Sequence, residues 1–404
     1  MPEIKRCAVT LFFLLLISAC SSEEESAQVE LPDHISQLEN VTVFSPNIQP
    51  ADTVVLEKVA TFESSDDIYM EGRLSSFNVD DRDRVYIAAT QIGRLGVYVF
   101  NPNGEYITRI APYGRGPGEY ESIRSIDVHD NKLYLLDARL QKFGTFELDS
   151  FTHVEDHIIT RNRLTESDSL AKMFNFHDLI VNNDQSHILA LRMFPRSRKF
   201  ASQTDVYYPM EAEGSIPPNK LLELKGLTYY YPPEGMLSVP YLMPFNRSSL
   251  VSVSSDGHFY TAWSEDFLIN VYDQYGTYLR AIYYPAEQAE MSLDEITLER
   301  EQERMLDQYD LPETWPAVHT MELDDEGRLW VATITESDST FQWHVLDKDG
   351  TQLARFTLPG RRASRSAYSK PLIQIKNGYY YNHEQDFRTG IDRIVKYRIQ
   401  FESR

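Results

Sequence analysis

Hydrophobic and polar residues alternate with a period of two along most of the chain, and polar turns interrupt the alternation repeatedly. Each unit runs from an alternating strand into a turn of Asp, Asn or Gly, and then into a second strand of β-branched or aromatic residues. Six segments carry this unit, the third and the last of them more weakly: 77–89, 126–137, 177–191, 251–263, 321–333 and 373–382. Period-two alternation predicts β-strands, and Asp, Asn and Gly form the tight corners of hairpins.

A second hairpin follows the first in several of these units. It pairs Asn or Asp with a Gly three residues later, as at 100–107, 272–279 and 346–353. Two hairpins make four antiparallel strands, which is the content of one propeller blade, and the number of units is six. The sequence therefore predicts an all-β chain that forms a six-bladed β-propeller with a helical insertion. A β-sandwich would not explain the repeated pair of turns, and the period of two excludes a helical solenoid.

One further strand is predicted at 53–62, before the first complete unit. An open propeller would leave two strand edges exposed. We therefore expect this strand to pair with the last blade near 391–401 and to close the ring.

A glycine-rich link, RGPGEY at 115–120, stands between the first two blades. It resembles the G-x-G-P-G-[EQ]-[FY] link of NHL-type repeats and is typical of bacterial six-bladed propeller lipoproteins, a family largely without assigned activity. The resemblance extends over roughly residues 70–400, although only this link matches closely. Its glycines permit a tight crossing between blades, and Tyr120 can wedge between them, so we expect a structural role.

Residues 1–19 have the three zones of a bacterial signal peptide. A positive start precedes an apolar run at 9–17, which is too short to span a bilayer, and a small-residue cleavage site precedes Cys20. This end resembles a lipobox, which implies that Cys20 is diacylated and that lipid holds the chain to the membrane. The only other cysteine, Cys7, lies within the signal, so the mature chain has no disulfide.

Residues 20–48 are acidic and poor in aromatic residues, which predicts a solvated tether ahead of the propeller body at 49–404. Ser21 resembles the residue that follows the lipidated cysteine in lipoproteins sent to the outer membrane. The run EEE at 23–25 resembles acidic tags for export to the cell surface. We therefore expect a lipid-anchored protein of the outer membrane, with the cell surface as a further possibility.

The charge balance limits the partners of this chain. It has 61 acidic and 39 basic residues, for a formal net charge of −22. Nucleic acid is excluded as a partner, because binding to it needs clustered Lys and Arg. The sequence also lacks G-x-S-x-G, H-E-x-x-H, a Walker loop and a Rossmann fingerprint. We assign no catalytic residue, and the sequence favours a protein that is not an enzyme.

One polar residue occupies the same position of the first strand in every unit. The six residues are Asn78, Asp127, Asp178, Ser252, Glu322 and Gln374. If they converge on the propeller axis, their carboxylate, amide and hydroxyl oxygens would suit Ca²⁺ better than a transition metal. The interpretation that we favour is that they satisfy water and exposed strand edges. We assign no resident cofactor, and we hold the six as candidate ligand-binding residues of the channel, with calcium as the candidate ion.

An insertion at 286–318 is predicted to be helical. Residues 292–295 (SLDE) have a capping-box pattern that opens a helix, and we expect that helix to end near 311–312. Its apolar stripe favours packing on the propeller over binding to a partner.

A second insertion, at about 195–248, is rich in aromatic residues and proline. It contains YYYPP at 229–233 and PYLMPF at 240–245. These residues predict either a stacking surface for glycans or peptides or a buried, proline-stiffened loop, and burial is the interpretation that we favour.

Three functions remain open. We favour a non-catalytic binding or scaffold module at the cell envelope, with a protein or glycan partner there. The alternatives are a calcium-dependent hydrolase similar to lactonase and esterase propellers, and a glycan- or peptide-capture protein. The fold alone does not separate them.

Overall fold

The described part of the chain is almost entirely built from β-strands. The computed structural model describes residues 31–45, 49–65, 68, 70, 74–90, 94–160, 174–193, 203–227, 229–230, 241–363, 372–386 and 390–403. The predicted signal peptide and the lipidation site Cys20 lie outside the described residues. No helix in the described ranges is long and apolar enough to cross a membrane.

The first three blades are four-stranded antiparallel sheets, each made from consecutive strands. Blade 1 contains β3 Leu74–Val79, β4 Val85–Ala89, β5 Gly96–Phe100 and β6 Tyr106–Ile110. Blade 2 contains β7 Ile123–His129, β8 Lys132–Asp137, β9 Lys142–Glu147 and β10 His153–Ile158. Blade 3 contains β11 Phe174–Val181, β12 His187–Met193, β13 Thr204–Met210 and β14 Leu222–Lys225.

The last three blades repeat this arrangement with additions from the N-terminal end of the chain. Blade 4 contains β15 Ser249–Val253, β16 Phe259–Trp263, β17 Leu268–Tyr272 and β18 Tyr278–Tyr283, with β1 Val41–Val43 added in parallel beside β18. Blade 5 contains β19 Val318–Leu323, β20 Leu329–Ile334, β21 Thr340–Leu346 and β22 Gln352–Pro359. Blade 6 contains β23 Ile373–Lys376, β24 Tyr379–Asp386, β25 Ile391–Ser403 and β2 Asp52–Phe62. A short helix, α1 Asp33–Ser36, precedes β1.

The ring closes as the sequence predicts, by pairing of the two ends of the chain. β2 runs antiparallel to β25 and becomes the outermost strand of blade 6. Buried Lys396 of β25 then reaches blade 1, where its ammonium lies 3.0 Å from Asp83. The Asn377 amide also donates to Asp83, at 2.7 Å. The closing contact is therefore both a strand pairing and a buried charge pair.

The hydrophobic core lies between neighbouring blades. One buried cluster joins blades 1 and 2, and another joins blades 4 and 5. The second strands β4 and β20 are buried along their whole length, because each blade packs against a neighbour on both faces. This explains why such strands read as unbroken apolar runs, whereas the first strands alternate.

The glycine-rich link at 115–120 packs as a wedge between blades 1 and 2. Tyr120 is fully buried in the cluster that joins these blades, and its hydroxyl lies 3.3 Å from Asp156. Gly118 has φ +71°, and a Cβ there would lie 2.9 Å from the His153 ring. Only glycine fits this position without displacing the ring, so the link serves blade packing.

The predicted helix at 286–318 is wrong in its extent. Ser292 caps only a 3₁₀ turn, Leu293–Glu295, after which the backbone becomes extended at Ile296. The α-helix α2 begins afresh at Arg300–Leu306, with its own capping box from Glu299. The β-branched Ile296 and Thr297 disfavour helix between the two starts. The insertion does pack on the propeller, as expected, because Met305 and Leu306 are buried in the blade 5 cluster.

The stretch at 195–248 is not a single insertion. It contains the two outer strands of blade 3, β13 and β14. Their sequence lacks the Asp-to-Gly turn that marks the second hairpin elsewhere, and β13 contains Pro209, a residue that is unusual within strands. Without that signal, the sequence pattern did not separate these strands from the loops around them.

Candidate functional site

The six predicted polar residues lie on the six first strands, around the axis of the propeller. These strands stand side by side, one from each blade. We call the six residues the polar girdle: Asn78 on β3, Asp127 on β7, Asp178 on β11, Ser252 on β15, Glu322 on β19 and Gln374 on β23.

Asn78 connects three blades within the girdle. Its amide nitrogen donates to the carbonyl of Ile126 at 3.2 Å and to the carboxylate of Asp127 at 3.3 Å, both in blade 2. Its amide oxygen accepts from Gln374 of blade 6 at 3.1 Å. The side chain of Asn78 is therefore hydrogen-bonded to both neighbouring blades.

Asp127 makes the corresponding contact from blade 2 to blade 3. One carboxylate oxygen accepts from the backbone N–H of Val128 at 2.8 Å, and the other accepts from that of Val181 at 2.7 Å. Desolvation by the surrounding protein raises the pKa of Asp127 to about 7, although the two backbone donors oppose the shift and the nearby charge of Asp178 adds to it. The carboxyl is half-buried, so it keeps some contact with water.

The remaining members also act across blade boundaries. The Ser252 hydroxyl donates to the carbonyl of Met321 in blade 5 at 3.1 Å. Asp178 of blade 3 accepts from the hydroxyl of Ser125 in blade 2. Burial raises the pKa of Tyr380 in blade 6, and the negative charge of nearby Glu322 adds to that rise.

The girdle therefore has a structural explanation. The first strand of each blade has one edge without a strand partner, and girdle side chains satisfy backbone groups or side chains on the next first strand. Within the described ranges, no group of three or more His, Cys, Asp or Glu side chains could hold a metal ion. Ligand binding by these six residues stays a prediction, because nothing bound is present to test it.

A second set of residues lies at the start of the first strands, where four of the six carry a β-bulge. The residues skipped by the pairing are Ser75, Arg124, His177 and His319. Bulges of this kind re-aim a side chain and are common beside functional sites. We call this end of the propeller the axial opening.

Arg124 is the exposed member of this set. Its guanidinium makes no hydrogen bond or ion pair within the described residues, and its side chain is exposed. Burial by surrounding protein nevertheless lowers its pKa, and so does the charge of Arg192, while Asp178 and Tyr229 act in the opposite direction.

Arg192 and His177 lie beside this arginine in blade 3. Arg192 binds Asp205 with two parallel hydrogen bonds of 2.8 and 2.9 Å, and its guanidinium lies 3.2 Å from the His177 ring. We call Arg124, His177, Arg192 and Asp205 the basic cluster. His319, by contrast, stacks on Phe341 with 4.1 Å between ring centroids, and burial lowers its pKa to about 4. It is neutral at physiological pH.

The sequence contains a signal for these bulges. A strand without a bulge keeps its buried residues an even number of positions apart. The apolar residues Ile123 and Ile126 are three positions apart, so the alternation changes phase between them. The same change of phase separates Leu74 from Phe77. A change of phase of this kind, repeated in four first strands, would have identified Arg124 as a residue at a bulge.

The aromatic residues of the 229–245 region are largely buried. Tyr230 packs edge-on against Phe245 and Tyr309, and both Tyr230 and Phe245 belong to the core cluster of blade 5. Tyr229 and Tyr241 are half-buried, and Tyr231 lies outside the described residues. These contacts favour the buried-loop interpretation over an open stacking platform.

Comparison with known proteins agrees with this architecture. Residues 62–234, which include blades 1 to 3, match a family model described as a 6-bladed beta-propeller. No curated protein matches the sequence.

Solved structures give the same fold over nearly the whole chain. A candidate exported protein of Bacteroides fragilis is 12% identical with a TM-score of 0.50, and the match covers 89% of this chain and 99% of that one. A member of the duf4221 family from Bacteroides vulgatus is 8% identical with a TM-score of 0.53, covering 88% and 100%. A virginiamycin B lyase of Staphylococcus aureus reaches only 0.41 at 9% identity, covering 85% and 99%, which is too low to bear on function. The resemblance predicted from the sequence is confirmed at the level of the fold, and the chain forms a six-bladed β-propeller.

Proposed function

We propose that this protein is a lipid-anchored binding module of the cell envelope, without catalytic chemistry of its own. The observation that carries the proposal is the use of the polar girdle. Asn78, Asp127 and Ser252 direct their side chains to neighbouring blades, so these residues at the axis hold the ring together. In a hydrolase, the same positions would carry the reacting groups. Binding is then left to the surfaces at the ends of the axis and to the loops around them.

The anchor belongs to the same proposal. The signal of 1–19 and Cys20 support diacylation, and the acidic residues between Cys20 and α1 support a propeller held away from the membrane surface. The outer membrane is the proposed location, with exposure to the outside as the further step. The proposed partner is a protein or glycan of the envelope.

Metabolic labelling with an alkyne fatty acid tests the anchor. The natural chain should take up the label and sediment with membranes, because the lipid is its only proposed attachment. The Cys20→Ser variant should lose both properties, whereas the matched Cys7→Ser variant should keep both. A natural chain that stays unlabelled and soluble, or a Cys20→Ser variant that keeps the label, would overturn the proposal.

The calcium-dependent hydrolase has less support. Asp127 and Asp178 are each engaged by protein donors, and protein surroundings favour the protonated form of Asp127. Ca²⁺ needs ionised carboxylates and several free oxygen ligands. The capture function has less support as well, because Tyr230 and Phe245 are core residues.

A further inference from the structure

Arg124 stands out among the charged residues of the propeller axis. It is the only arginine within the six first strands. These strands contain one lysine, Lys376. It has a carboxylate partner, since its ammonium lies 2.8 Å from Asp81. Arg124 has no such partner in the described ranges.

The absence of a partner is unexpected for a chain of this composition. Acidic residues outnumber basic ones by 61 to 39, so the chain has no shortage of carboxylates with which an arginine could pair. At the equivalent bulge of blade 1, the Ser75 hydroxyl donates to the carbonyl of Ile123 at 2.9 Å and is thereby used. The bulge of β7 instead presents an exposed guanidinium to solvent.

A second guanidinium lies near Arg124 and is already fixed. Both carboxylate oxygens of Asp205 are bonded to Arg192, and Asp205 itself is buried. Arg192 is therefore held in place, and both carboxylate oxygens of Asp205 are already engaged by it. An anion bound at Arg124 would relieve the repulsion between the two guanidinium groups.

We propose that Arg124 binds the carboxylate of a small, singly charged ligand at the axial opening, with Arg192 and His177 forming the adjacent wall. The planar guanidinium presents paired donors that match the two oxygens of a carboxylate. The net charge of −22 repels multiply charged ligands more strongly than singly charged ones, which favours a monocarboxylate over a phosphate or a polyanion. This inference rests on the proposed binding function and names the chemistry of its ligand.

Protection from an arginine-specific reagent tests the site directly. The full chain is treated with phenylglyoxal, and modification of each arginine is followed by peptide mass spectrometry. Acetate, D-glucuronate and inorganic phosphate are compared at constant ionic strength with chloride, and neutral glucose serves as the match for glucuronate. The two carboxylates should slow modification of Arg124 severalfold, with little effect from glucose or chloride. Exposed Arg82, which is paired with Asp149, should show no carboxylate-specific protection.

Two outcomes overturn the proposal. Equal modification of Arg124 in chloride and in both carboxylates would show that it does not bind them, and stronger protection by phosphate would show that the ligand class is wrong. Neither outcome affects the fatty-acid labelling of Cys20, so failure of this site is distinguishable from failure of the proposed anchor.

Variants give a second readout that does not depend on the reagent. D-glucuronate should raise the melting temperature of the natural chain more than glucose does, because it binds only the folded state. The Arg124→Gln variant should lose this difference, and the Arg82→Gln control should keep it. Arg124→Lys should lose most of it, because lysine keeps the charge but not the paired donors. An undiminished difference in Arg124→Gln would contradict the proposal.

Discussion

The polar girdle and Arg124 of the basic cluster lie a few residues apart on the first strands, but their side chains make different contacts. Asn78 is bonded to blades on both sides, whereas Arg124 is exposed and bonded to neither. The girdle positions follow regular pairing, and Arg124 is skipped by a bulge. A polar residue near a propeller axis is therefore a candidate for ligand binding only when the next blade leaves its donors and acceptors unused.

The largest effect is expected where a buried charge closes the ring. The Lys396→Met variant leaves Asp83 without its cation, and removal of one partner of a buried pair costs about 3 kcal/mol or more. Chemical denaturation should show this loss in the free energy of unfolding. Arg398→Gln, on the same strand but in an exposed pair with Glu57, should change it by less than about 1 kcal/mol. Equal losses in both variants would contradict the structural weight given to ring closure.

A smaller loss is expected within the girdle itself. The Asn78→Leu variant keeps the number and branching of the side-chain heavy atoms but leaves the Ile126 carbonyl and the Gln374 amide without their partner, which should cost about 2 kcal/mol. The measurement is again the free energy of unfolding. A neutral result would mean that water replaces these contacts and that the girdle does not hold the blades together.

The girdle also predicts a dependence of stability on pH. The pKa of Asp127 is about 7 in the folded state against an ordinary value of 3.8, so folding takes up a proton between these values. Over that range the free energy of unfolding should fall as pH rises, by at most about 1.4 kcal/mol per pH unit from this group. The measurement compares the free energy of unfolding of the natural chain with that of Asp127→Asn at about pH 5 and about pH 8, which isolates the contribution of Asp127. The natural chain should lose stability relative to the variant at the higher pH, and a difference independent of pH would contradict the raised pKa.

The smallest effect on stability is expected at the basic cluster. Arg124 makes no hydrogen bond or ion pair in the described ranges, so Arg124→Gln should change the free energy of unfolding by less than about 0.5 kcal/mol. Together with Asn78→Leu, this variant separates residues that hold blades from residues left for a ligand. A loss as large as that of Asn78→Leu would place Arg124 among the structural residues.

Much of the fold followed from local pattern. Alternation and turn residues predicted the six units, and the edge argument predicted that β2 would join β25. These features depend on neighbours in sequence, or on a rule about unpaired strand edges. The outer strands of blade 3 were missed because they lack the turn signal, and the helical insertion was misplaced because its second start at Glu299 competes with Ser292.

The site was only partly accessible to the same reasoning. The six girdle positions were found by alignment, but their partners depend on contacts as distant as Gln374 with Asn78. No local pattern encodes which donor meets which acceptor across two blades. Alignment of polar residues in register does not find Arg124, because a bulge takes a residue out of register.

A thermal melt with and without calcium tests the central claim most directly, because it asks whether the girdle serves the blades or a metal. The full chain is melted in excess Ca²⁺ and in excess chelator at equal ionic strength. We expect the same melting temperature in both solutions, since Asn78, Asp127 and Ser252 are already engaged by protein groups. A cation held in the folded state at a hundred times its Kd would add about 2.7 kcal/mol. A clear rise in Ca²⁺ that is abolished in Asp127→Asn would contradict the account and make the girdle a metal site.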